Sequence, residues 1–181
     1  MGKRLFVFLL AVAACFPVSA ESSNETTMKP LVVYFSNAGH TAEAARLLGE
    51  LTGADLYEIL PEDPYEERDL DWTDKNSRST LEMRDSTARP ALKENDLNLS
   101  KYQTIYIGFP IWWDLAPRIV NTWIESNQLE GKELVPFATS GGSAIDHAAD
   151  VLRQTYPSYH WLPGKLLNRA SKDSVAKWLG K

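Results

Sequence analysis

Ser36, Asn37 and Thr41 surround a glycine at position 39 and follow directly on the apolar run Leu31 to Phe35. Two hydroxyls and an amide around a turn that glycine can tighten are suited to holding an anion. Thr41 to Leu51 then carry apolar residues at helical spacing, so Ser36-Asn37-Ala38-Gly39-His40-Thr41 reads as a loop between a strand and a helix. A helix start turns unpaired backbone N–H groups and the positive end of the helix dipole toward one point, which is the chemistry of phosphate binding. Taken alone, the segment also fits an ordinary capped helix, because short motifs often match by chance.

Two further segments repeat the arrangement of an apolar run followed by a polar or aromatic loop. Thr104 to Phe109 leads into Pro110-Ile111-Trp112-Trp113-Asp114, which presents two adjacent indoles. Leu134 to Thr139 leads into Ser140-Gly141-Gly142-Ser143, a turn whose backbone can closely approach a flat polar ring. A phosphate site, an aromatic plane and a polar ring edge together describe FMN.

The first of these loops is carried by a buried strand, Leu31 to Phe35, and by a helix that ends at Gly53. Ala54 to Leu60 alternates as a strand, completing a βαβ unit. Residues 61–100 form a long polar insertion with Pro61, Pro64 and Pro90 and one helical piece near Ser77 to Arg84. Connections of this length are usually functional or disordered, and Tyr65, Trp72 and Arg89 point to parts that pack over something. Arg89-Pro90 and the preceding helix are candidates to cover the ligand's open side. Beyond the third strand, a helix opens near Pro117 with the stripe Ile119, Val120, Trp123 and Ile124, placing Trp123 in the core. The fourth strand is followed by a helix through Leu152, and His160 to Leu167 is a weak last strand interrupted by Pro163-Gly164. Ser171 to Ser174 starts a terminal helix containing Val175 and Trp178. Alternating strands and helices predict an α/β, doubly wound parallel sheet, which gathers all three loops at its carboxyl edge.

In order, Ser-Asn-Ala-Gly-His-Thr, Gly108-Phe109-Pro110-Ile111-Trp112-Trp113 and Phe137-Ala138-Thr139-Ser140-Gly141-Gly142-Ser143 resemble the flavodoxin superfamily, in its flavodoxin-like branch with Pro-Ile-Trp-Trp and Thr-Ser-Gly-Gly-Ser loops. The resemblance spans residues 31–181. It implies a three-layer sandwich with a five-stranded parallel sheet in the order 2-1-3-4-5, and noncovalent FMN. Carried over to this chain, it places the phosphate on Ser36, Asn37, Ala38, Gly39, His40 and Thr41, mostly through backbone N–H groups. The isoalloxazine falls between the loop Pro110, Ile111, Trp112, Trp113 and the loop Ser140, Gly141, Gly142. Trp112 or Trp113 would stack on the ring, and the other would plug the core.

Family members typically carry Thr, Ser or Asn where this chain has His40. A neutral, exposed histidine there is the favoured reading over a protonated one bonded to phosphate. His147 and His160 read as surface or packing residues, Asp146 and His147 point apart as helical neighbours, and the histidines lack metal-ligand spacing. No protein nucleophile or general base is needed, because flavin itself accepts the electrons while the protein tunes and gates it. An indole against the ring and an acidic protein both disfavour anionic reduced flavin, so a low second-electron potential is expected. The partner is then a redox protein or a small acceptor such as a quinone. The glycine fingerprint of dinucleotide-binding folds is absent from the first loop, which argues against an NAD-dependent dehydrogenase. No aspartate ends the first or third strand as a phosphoacceptor receiver would require. A binding module for another phosphorylated ligand is the competing reading.

At 181 residues, with 44% hydrophobic and 24% charged residues, the chain suits one globular domain. Residues 1–20 stand apart as an export signal: Lys3-Arg4, the apolar run Leu5 to Ala14, then Pro17 and the small residues Val18-Ser19-Ala20. Cleavage before Glu21 leaves a polar lead over residues 21–30 and no cysteine. Cys15, the single cysteine, follows Val12-Ala13-Ala14 in a lipobox-like setting, and lipidation there would give the protein a membrane tether. Removing Lys3 and Arg4 leaves 17 basic residues against 24 acidic ones, a net charge of −7 rather than −5, which argues against nucleic acid as a partner. Much of the acidity gathers between Glu62 and Asp74, read as a solvated loop.

Overall fold

The structure is a computed structural model that describes residues 28–93 and 96–181. The expected export signal, Cys15 and most of the polar lead lie outside the described residues.

Apolar runs become buried strands, and the helical repeats between them cover the sheet. The order is β1 (Leu31–Tyr34), α1 (His40–Thr52), β2 (Asp55–Glu58), α2 (Arg78–Arg84), β3 (Thr104–Pro110), α3 (Arg118–Glu125), β4 (Glu133–Thr139), α4 (Asp146–Thr155), β5 (His160–Trp161), β6 (Lys165–Leu166) and α5 (Lys172–Trp178). The strands pair in parallel in the order β2-β1-β3-β4-β5, with β6 also on β4. Leu31, Val32 and Val33 are fully buried, as a strand covered on both faces requires, whereas β2 at the edge leaves Leu56 exposed.

The two faces are covered separately. Ile119, Val120, Trp123 and Ile124 on α3, with Ala148, Ala149 and Leu152 on α4, pack on the side of Val33, Phe35 and Ile107. The α3 stripe is the one the sequence predicts, and Trp123 is fully buried within it. On the other face, Ala44, Ala45 and Leu48 of α1 and Val175 of α5 close over Val32, Phe137 and Leu167.

The fifth position of the sheet is shared by β5 and β6 rather than filled by one strand. Leu134 pairs with Trp161 and Phe137 with Lys165, so the Pro163-Gly164 side carries an extra residue, a bulge. Leu162 N donates to Leu134 O and Leu167 N to Ala138 O, each at 2.8 Å, so alternate residues of β4 face this edge. Pro136 is one of them, and its missing N–H falls opposite the break, where no ladder bond is lost. A Cβ on Gly164 would lie 2.9 Å from Pro136 O, so this close approach calls for glycine.

The described part of the insertion is closed at its neck. Pro61 and Leu92 form an antiparallel bridge, with Glu62 N donating to Ala91 O at 2.8 Å and Lys93 N to Leu60 O at 2.9 Å. Within it, Ser77 caps α2 by accepting from Thr80 N, and a short 3-10 helix spans Glu67–Leu70. Arg118 of α3 donates to the carbonyls of Glu82 and Met83 at 3.3 and 3.1 Å, fastening α2 to the domain. Glu62, Asp63, Glu66, Glu67, Asp71 and Asp74 are solvent-exposed.

Candidate functional site

The pairing of β1 extends into the first loop, with Phe35 N donating to Gly108 O at 2.9 Å. Gly39 then adopts φ 83°, a left-handed conformation that a side chain would strain, and so starts α1 without a side-chain cap. Glu43 N reaches Gly39 O at 2.9 Å as the first helical bond, and Ala42 N is taken by Ser36 Oγ at 3.2 Å. The N–H groups of Asn37, Ala38, Gly39, His40 and Thr41 have no partner among the described residues. Ala38, Gly39 and His40 are exposed. Thr41 is buried, with its hydroxyl 2.8 Å from that of Thr139, so the sequence-predicted Thr41 side chain ties the loop to β4.

The second loop sends the two indoles in different directions. Trp112 N donates to Leu115 O at 3.0 Å and Leu115 N to Trp112 O at 2.9 Å, closing a turn in which Trp113 has φ 47° and Asp114 φ 61°. Two consecutive positive φ values belong to a type I′ turn. That turn sets Trp112 edge-on against Phe35 and Tyr65, with ring centroids 5.6 and 5.3 Å apart, and leaves Trp113 43% exposed. A bulky residue in the left-handed region costs about 1–2 kcal/mol, and such strain gathers at functional sites.

The third loop is braced from behind. Asn168 Oδ1 accepts from Ser140 N at 2.7 Å while Asn168 Nδ2 donates to Ser140 O at 2.8 Å. Ser140 Oγ accepts from Gly142 N at 3.1 Å and Ser143 N at 2.8 Å. The Ser143 hydroxyl donates to the Asp114 carboxylate and so joins the second and third loops. Ile111 N, donating to Thr139 O at 2.8 Å, joins them again.

Between the loops lies a cleft of about 590 Å³. Its walls are His40 from the first loop; Pro110, Ile111 and Trp112 from the second; Thr139, Ser140 and Gly141 from the third; and Asn168 and Arg169 from the β6–α5 connection. Ser36, Asn37, Ala38, Gly39 and Thr41 adjoin this wall through His40, while Trp113 and Gly142 do not line it. Among the described residues no carboxylate lines it either, although the chain is acidic overall. A cleft of similar volume at the opposite end, between Asp96–Ser100 and Ser126–Lys132, has no aromatic side chain and lies at the amino edge of β3 and β4. Ligands of doubly wound sheets bind at the carboxyl edge instead.

Tyr65 connects the insertion to this region. Its ring lies against Phe35 and Trp112, its hydroxyl donates to Glu82 at 2.5 Å, and the Arg78 guanidinium sits 4.0 Å above it. Burial, reinforced by the Glu82 carboxylate, pushes the Tyr65 phenol well above its ordinary range. Arg89, in contrast, does not cover the cleft. Its guanidinium makes a two-point bond to Glu125 at the end of α3, at 2.7 and 2.8 Å, a partner that local sequence does not reveal. Trp72 is 75% exposed. Asn168 and Arg169 are wall residues absent from the sequence-derived site. The signal for them was present, since a polar pair follows the last strand as polar loops follow the others.

His147 and His160 are exposed. Among the described residues no group of His, Cys, Asp and Glu side chains is placed to hold a metal ion, and no helix is long and apolar enough to cross a membrane.

The chain is similar to a candidate flavoprotein from Bacteroides uniformis at 53% identity, with a TM-score of 0.83 over 84% of this chain and 98% of that one. A candidate flavoprotein from Bacteroides eggerthii matches at 53% identity and a TM-score of 0.82, over 84% and 96% of the two chains. A Lactobacillus acidophilus flavoprotein in complex with FMN shares the fold at 19% identity, with a TM-score of 0.65 over 85% and 99% of the chains. Among curated proteins there is no match. A flavodoxin family model matches residues 29–181, nearly the whole described chain; the protein belongs to the flavodoxin family, whose cofactor is FMN.

Proposed function

We propose that this protein is an exported flavodoxin that holds FMN noncovalently in the carboxyl-edge cleft and passes electrons to a redox protein or a small acceptor such as a quinone. The observation that carries the reading is that the Pro110–Trp112 and Thr139–Gly141 walls meet His40 at one cleft, beside the loop whose Asn37 to Thr41 N–H groups are unpartnered among the described residues. The donor set fits the cofactor: backbone N–H groups at a helix start suit a phosphate, and an indole beside a glycine turn suits a flat heteroaromatic ring.

FMN, when bound, supplies reversible one- or two-electron transfer. The chain's residues bind and orient. Trp112, fixed by Phe35 and Tyr65, supplies a rigid apolar wall, and Ser140, held by Asn168, fixes the backbone facing it. Trp113 is exposed at the same turn, where an incoming partner could meet it. The apolar indole wall and the chain's net charge of −5 support the expectation of a low second-electron potential, which a spectroelectrochemical titration checks.

The deciding experiment is purification of the mature protein followed by titration with FMN. A yellow protein, or one that quenches added FMN fluorescence, supports the reading; a colourless protein that ignores FMN contradicts it. Rapid bleaching of the bound chromophore by NADH or NADPH would mark a reductase, and its absence a carrier. Export is tested separately, by locating the full chain after expression and by sequencing the mature amino terminus, which distinguishes a start at Glu21 from a lipidated Cys15.

A further inference from the structure

Resting on the FMN reading, we infer that Arg169 is a phosphate-recognition residue of this site, adding a side-chain cation to the backbone cradle of the first loop. Among the described residues Arg169 is the sole Arg or Lys on the cleft wall, and it shares that wall with His40, the first residue of α1. It has no ion pair or hydrogen bond among the described residues, whereas Arg46, Arg78, Arg89 and Arg153 are each paired with a carboxylate. Its backbone is held at φ 49°, in the left-handed region. The residue before it is held by two hydrogen bonds to Ser140, so the backbone from which this exposed side chain projects is tied to the loop that walls the cleft.

The charge balance gives this arrangement a purpose. A chain of net charge −5 repels a dianion at long range, and backbone N–H groups alone offset that only with partial charges. A guanidinium presents a planar fork that matches phosphate oxygens two at a time and keeps its charge at any working pH. Among the described residues no carboxylate lines the cleft to neutralise it. In the linear sequence Arg169 lies far from the first loop, and the fold brings it to the same cleft wall as His40.

The test compares FMN with riboflavin, which has the same ring and no phosphate, by fluorescence quenching on the mature protein and its variants. Arg169→Gln is expected to weaken FMN at least about tenfold, the scale of one lost charge-assisted pair, and to leave riboflavin within about twofold. It should also flatten the salt dependence of FMN binding. Arg169→Lys, which keeps the charge without the fork, should recover part of the loss. Equal weakening of both flavins, or unchanged FMN binding, overturns the inference while leaving the FMN reading intact. A wild-type protein that binds neither flavin overturns both. Circular dichroism and melting of each variant separate a binding loss from a folding loss.

Discussion

The loops after β1 and β4 stand side by side on one sheet edge, joined by the Thr41 and Thr139 hydroxyls, yet their backbones are handled in opposite ways. After β4, Ser140, Gly142 and Ser143 each give their N–H to a side chain, and Asn168 also takes up Ser140 O. After β1, the N–H groups of Asn37 to Thr41 are left without a partner among the described residues. Unsatisfied donors are costly only when buried, and this loop is open at Ala38, Gly39 and His40. The difference separates two tasks. One loop is a wall finished by the protein itself, and the other keeps a set of backbone donors available, as the proposed phosphate site requires.

The comparison breaks most severely at Asn168. Asn168→Ala leaves Ser140 N–H and C=O unbraced, and the expected loss is about 1–3 kcal/mol for two hydrogen bonds, felt by FMN and riboflavin alike. Isothermal titration with both flavins checks this, and a loss confined to FMN would mean the loop does not serve the ring. A smaller effect is expected from Gly39→Ala. The added Cβ meets no atom within 4 Å, so the cost is the left-handed φ alone, about 1 kcal/mol in melting stability, with FMN weakened more than riboflavin. Thr139→Val removes the hydroxyl tie between the two loops and should cost about 0.5–1.5 kcal/mol by chemical denaturation. Smallest is a change remote from the cleft. Arg89, aided by the Tyr156 hydroxyl, holds the Glu125 carboxyl below its ordinary value. A depressed carboxylate stabilises the fold above its unfolded pKa, about 4.3, and that contribution disappears as pH falls through the lower folded value. Glu125→Gln should therefore lower Tm slightly at neutral pH and converge with wild type in acid. A difference that persists below pH 3 or so would assign the effect to packing rather than charge.

Much of the architecture was legible because alternating buried strands and helical stripes leave little choice of fold. The run Leu31 to Phe35, the stripe through Trp123 and the break at Pro163-Gly164 each had one physical reading, and each is where the sequence puts it. The site was legible only where its residues sit in a single loop. Trp112 and Trp113 could not be told apart from sequence, because their directions depend on a type I′ turn at residues that rarely favour positive φ. Local sequence leaves Arg89 pointing toward the cleft because its partner, Glu125, lies on a distant helix. Asn168 and Arg169 were passed over because neither belongs to a glycine turn or an aromatic pair. They reach the cleft through the β6–α5 connection, and only the completed sheet brings that connection to the first loop.

The central claim is that the first loop's backbone donors bind phosphate, and amide NMR of the mature protein reads those donors one by one. Titration with FMN should move the N–H resonances of Asn37, Ala38, Gly39, His40 and Thr41 strongly downfield, as new hydrogen bonds to an anion do. Riboflavin should shift the Ile111–Trp112 and Ser140–Gly141 amides and leave the first loop nearly unchanged. FMN binding that perturbs the ring-facing loops while Asn37 to Thr41 stay in place would contradict the account.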